Sequence, residues 1–102
     1  MEEMHQIDHS ALTESALKKY KGKSAKWLCD KTAELTARCK KPNKDELDKI
    51  TECAVALMKK LKKLSEFELN SLEEYVSSEI EDGNKSYIAV RNVFALKEIF
   101  NL

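Results

Sequence analysis

Between Leu47 and Leu64 the apolar residues Leu47, Ile50, Ala54, Leu57, Leu61 and Leu64 return at alternating steps of three and four. A strand would need a period of two, so this spacing commits the middle of the chain to an amphipathic helix from about Asn43 to Leu64. Cys53 and Met58 widen the stripe. A face that long and broad suits the central helix of a bundle, with neighbours on several sides.

The remaining segments keep the same period. From about Ser24 to Lys40, Ala25, Leu28, Cys29, Thr32, Leu35, Thr36 and Cys39 gather on one uncharged face, opposite Lys26, Asp30, Lys31, Glu34 and Arg38. Pro42 stops this helix by forcing Lys41 out of helical geometry. A shorter helix from about Ser10 to Tyr20 carries Leu12, Ala16 and Tyr20 and ends at Lys21-Gly22-Lys23. A fourth helix opens with the clearest local signal in the chain, a capping box of Ser65 and Glu68, with Leu64 placed to staple onto Leu69. Its stripe is Leu69, Leu72, Val76 and Ile80, and Asp82-Gly83-Asn84 closes it, Gly83 supplying the left-handed cap. The last helix runs from about Ser86 to the C-terminus. Tyr87-Ile88-Ala89-Val90 has strand-like composition, but no second strand is available to pair with it.

With only Gly22, Gly83 and Pro42 as breakers, an all-β fold is disfavoured. The fold expected is all-α, a four- to five-helix bundle with short connections. At 102 residues, 42% hydrophobic and 35% charged, the chain reads as a single helical domain over residues 1–102, residues 1–9 forming a flexible N-terminal segment.

Charge is balanced overall but divided along the chain. Fifteen Lys/Arg and ten Asp/Glu lie up to Lys63, against three and eight beyond it. The fourth helix carries Glu66, Glu68, Glu73, Glu74, Glu79, Glu81 and Asp82 and no basic residue. Glu79, Glu81 and Asp82 oppose the dipole at its C-terminal end. Lysines of the third helix could offset them, or the face could serve a basic partner.

Catalytic chemistry finds no support. No nucleophile, base and orienting group can be assembled, and no glycine-rich loop builds an oxyanion hole. Gly22-Lys23-Ser24 resembles the end of a phosphate loop, but Leu17 stands where that motif needs glycine. His5 and His9, with Asp8 between them, could share a helix face and hold a metal, but no third ligand is placed. Cys29, Cys39 and Cys53 are odd in number and lack C-x-x-C spacing, which points to reduced thiols in a cytoplasmic protein. The N-terminus lacks the apolar core of a signal peptide, and no apolar run reaches the length of a membrane span. No enzyme activity, cofactor or metal is therefore expected.

The function expected is a small protein-interaction module of adaptor, chaperone or inhibitor type. Glu66, Glu73, Glu74 and Glu81 form its acidic surface. Trp27 falls on the charged side of the second helix, either as an exposed anchor or covered by the first helix. In the fifth helix, Ile88, Ala89, Val93, Ala95, Leu96, Ile99 and Phe100 make a core face, leaving Tyr87, Val90 and Phe94 as a second patch for a partner or a symmetric homodimer. The alternative is a nucleic-acid-associated regulator that uses Lys59, Lys60, Lys62 and Lys63. Those lysines also suit a helix C-terminus, and lysine outnumbers arginine sixteen to two, which disfavours dedicated phosphate reading. Ser65 to Leu69 is a generic helix start and points to no family.

Overall fold

The computed structural model describes residues 9–38 and 41–96, with side chains from residue 13 onward. These residues form an all-α bundle of five helices: α1 (His9–Lys19), α2 (Ala25–Arg38), α3 (Lys44–Lys63), α4 (Glu66–Glu81) and α5 (Tyr87–Leu96). The connections are short, as expected. Tyr87–Val90 is helical, and no strand occurs among the described residues. Of residues 1–9, taken as a flexible segment, only His9 lies among the described residues, where it opens α1. The His5/His9 pair and Cys39 fall outside the described side chains.

Local chemistry sets the helix ends. Ser24 precedes α2, and its Oγ accepts the Trp27 N–H at 3.1 Å. At Ser65 the capping box forms as the sequence requires, with Glu68 N–H donating to Ser65 Oγ and Ser65 N–H to Glu68 Oε1. The backbone N–H of Ser65 holds the exposed Glu68 carboxylate below the usual range. A second capping box, between Asn43 and Glu46, opens α3. α4 ends in a Schellman closure. Asn84 N–H reaches Glu79 O and Gly83 N–H reaches Ile80 O, with Gly83 at φ +95°.

α3 is the central helix, packed by α1, α2 and α5. Cys53, Val55, Ala56, Leu57, Met58 and Leu61 are buried along it. The burial departs from the stripe in two places. Neighbours on three sides cover Val55 and Ala56, which lie off the stripe. Leu47, in the first turn of α3, is 49% exposed and stands outside the buried set. α2 contributes Leu28, Cys29, Thr32 and Ala33 to the same core. Thr32 donates to Leu28 O at 2.8 Å and lies 3.2 Å from Cys53 Sγ. Burial pushes the Cys29 thiol up to about 12 and raises that of Cys53, so both stay protonated and inert at neutral pH.

α5 sits rotated relative to the expectation. Val90, Val93 and Phe94 are buried, whereas Ile88 is 37% exposed and Ala95 faces solvent. Of the expected core face, Val93 is buried and Ala89 and Leu96 are half-buried, while Ile99 and Phe100 lie outside the described residues. Tyr87, at the head of the Tyr87–Val90–Phe94 row, donates from its hydroxyl to Asp30 Oδ1 on α2 at 2.7 Å. That bond turns the row inward against α2, α3 and α4.

Candidate functional site

The expected partner residues separate into three groups. Val90 and Phe94 belong to the core of this chain, and Tyr87 is half-buried beside them. A spare patch for a homodimer is therefore absent at that row. Phe94 still forms part of a small groove between α4 and α5, with Glu73, Val76, Ser77 and Arg91.

Trp27, on α2, is 38% exposed. Its ring lies 6.0 Å from that of Tyr20, at the end of α1, and Lys23 Nζ sits 4.7 Å from its centroid. The first helix thus covers part of the indole, and a cation from the α1–α2 turn covers more. Tyr20 is itself buried, and burial lifts its hydroxyl to about 12, with the nearby Cys53 and Glu52 adding to the rise.

The acidic residues gather on α4. The helix buries Leu72 and Val76 and packs mainly on α5. Its outer face forms an open trough lined by Asn70, Glu73, Glu74, Ser77, Ser78 and Glu81. Among the described residues, Glu66, Glu73, Glu74 and Glu81 have no ion-pair partner. Phe67, which lies off the Leu69–Leu72–Val76–Ile80 stripe, is 79% exposed beside this face. Sequence reasoning passed over it, although a large apolar residue at the second helical position and off the stripe was the available signal. At i, i+7 and i+14, Phe67, Glu74 and Glu81 share one side of the helix.

The lysine run is divided by the packing. Lys59, Lys60 and Lys63 join Lys21 of the α1–α2 turn around a cleft of about 320 Å³, whereas Lys62 is exposed outside it. Sequence reasoning did not connect Lys21 to this group.

A polar knot missed by the sequence joins three helices. Asp30 Oδ1 accepts hydrogen bonds from Tyr75 at 2.6 Å and Tyr87 at 2.7 Å. The two rings meet edge to face, and Lys26 Nζ lies 4.7 Å from the Tyr75 centroid. The hydrogen bond to Asp30 raises the Tyr75 hydroxyl, while burial first and Asp30 second raise that of Tyr87. Both tyrosines therefore serve as neutral donors that bind α4 and α5 to α2. A comparable tie fixes α1 to α3, where Ser15 donates to Glu52 at 2.7 Å and Lys19 at 3.3 Å.

No group of three or more potential metal ligands occurs among the described residues. No helix among them is long and apolar enough to cross a membrane. Comparison with protein families, curated proteins and solved structures found no match to this chain.

Proposed function

We propose that this chain is a non-enzymatic protein-interaction module whose α4 surface binds a basic partner. The observation that carries the reading is the unpaired acidic face of α4. Glu66, Glu73, Glu74 and Glu81 stand on a helix without a single basic residue and lack ion-pair partners among the described residues. A face left uncompensated at the end where acids oppose the helix dipole is mildly costly to the fold, and a cationic partner would relieve it. Phe67 supplies an exposed aromatic at the same side, the kind of residue on which interface energy concentrates. The partner that fits is a basic amphipathic segment, with an apolar side chain for Phe67 and lysines or arginines for Glu74 and Glu81.

The test is a titration with an amphipathic Lys/Leu helical peptide at an ionic strength of about 0.15 M, where exposed long-range charge effects are screened. Amide shifts confined to α4, and affinity reduced about tenfold by Glu74→Lys/Glu81→Lys with helicity unchanged, would support the reading. Shifts centred on another element, or no saturable binding, would overturn it.

A further inference from the structure

In a second site, lined by no residue of α4, charge and apolar area occur together in a concave recess. The cleft between α1 and α3 encloses about 320 Å³, near the lower end of the size of small-molecule sites. Its floor is apolar: Leu28 and Ala56 are buried, and Leu17 stays 44% exposed. Its rim is cationic, with Lys59, Lys60 and Lys63 from the last two turns of α3 and Lys21 from the α1–α2 turn. No acidic residue lines the cleft, and none of these four lysines has an ion pair among the described residues.

We propose that this cleft binds a single-chain anionic amphiphile, its tail on Leu17 and Ala56 and its head group among the four lysines. Four like charges around one recess repel one another, and one anion relieves several of those repulsions together. Lys59 and Lys60 line the recess and are half-buried, as suits aliphatic stems that wall it beneath a charged head. An alkyl tail would remove Leu17 from water, which a simple anion such as phosphate cannot do. A nucleic-acid strand fits less well. Its bases would need an aromatic platform, and Tyr20, the aromatic residue lining the cleft, is only 7% exposed. No lining residue belongs to α4, so the site shares no residue with the acidic surface.

Trp27, the one tryptophan in the chain, reports on occupancy, because its ring lies 6.0 Å from Tyr20 of the cleft wall. The probe is decanoate, kept below its micelle concentration, with decyltrimethylammonium and inorganic phosphate as comparisons. Saturable one-to-one binding is expected for decanoate alone, seen in Trp27 emission and by calorimetry. Lys59→Gln/Lys63→Gln should weaken it about tenfold by removing charged partners of the head group. Leu17→Gln, on an exposed side of α1, should weaken it by removing the tail contact while leaving helicity intact. Equal binding of decyltrimethylammonium, phosphate binding as tightly as decanoate, or variants that bind like the wild type would each overturn the proposal. Tighter binding of a single-stranded oligonucleotide that displaces decanoate would transfer the cleft to nucleic acid and overturn it as well.

Discussion

α3 opens at Asn43 with a capping box closed by Glu46, and α4 opens at Ser65 with one closed by Glu68. The two helices share a start signal and differ in almost everything afterwards. α3 buries six residues against three neighbouring helices, whereas α4 buries two and packs mainly on α5. Local capping chemistry therefore decides where a helix begins and is silent about how much of it the fold will cover. The apolar stripe carries that second message. A broad stripe draws partners on several sides, and a narrow one leaves a charged face free for other work.

The contrast predicts unequal costs for core truncations. Leu57 on α3 is fully buried, and Leu57→Ala should cost about 2–5 kcal/mol. Leu72 on α4 is 8% exposed and has fewer helices around it, so Leu72→Ala should fall at or below the low end of that range. Urea denaturation of the two variants measures the difference. Equal losses would break the distinction between a central and a peripheral helix.

Asp30 is the main polar attachment of the peripheral helices. Asp30→Ala leaves the hydroxyls of Tyr75 and Tyr87 without their acceptor and should cost about 1–3 kcal/mol. The pH dependence sharpens this. Tyr20 and Cys29 rise from ordinary values of 10.0 and 9.0 to about 12, and the hydroxyls of Tyr75 and Tyr87 rise as well. A raised acid favours its neutral form in the fold, so the stability it contributes is complete below its unfolded value and is lost as pH climbs through its folded value. The urea midpoint should hold to about pH 9 and decline steadily toward pH 12. The Asp30→Ala variant should decline less steeply, because hydrogen bonding to Asp30 is the first cause of the rise at Tyr75 and the second at Tyr87. Parallel declines would show that Asp30 does not hold these tyrosines neutral.

What the sequence revealed and what it hid divide along the same physical line. The Ser65 capping box, the Gly83 closure and the 3.6-residue stripes depend on residues within one turn of each other, so the helices could be read directly, although the matching box at Asn43 and Glu46 was passed over. Which row of α5 turns inward depends on a bond from Tyr87 to Asp30, 57 residues away, and periodicity alone does not choose between two apolar rows. The cleft has the same origin. Lys59, Lys60 and Lys63 were visible as a run, but Lys21 joins them only through the packing of α1 on α3. The acidic residues of α4 were legible as a surface because a narrow stripe leaves most of a helix outside. Phe67 escaped because it adjoins the capping box and was read as part of it.

Because the start signals are alike, their removal should cost alike. Asn43→Ala and Ser65→Ala should each lower stability by about 1 kcal/mol, even though one helix is central and the other peripheral. A much larger loss at Asn43 would mean that capping is coupled to core packing, and the two boxes would then not be equivalent.

The smallest effect bears most directly on function. α4 ends with Glu79, Glu81 and Asp82 in its final turn or at its cap, where the helix dipole favours cations. Glu79 is partly compensated by Asn84, whose Nδ2 donates to it at 2.7 Å. Glu81 has no such partner among the described residues and is exposed. Glu81→Lys should therefore stabilise the protein by about 0.3–1 kcal/mol, read as a higher urea midpoint. The same substitution should weaken binding of the Lys/Leu peptide. A gain in stability joined to a loss of binding would mean that Glu81 is retained for its partner at the expense of the fold. A loss of stability would instead give Glu81 a structural role within the bundle, and the outer face of α4 would no longer count as a surface left free.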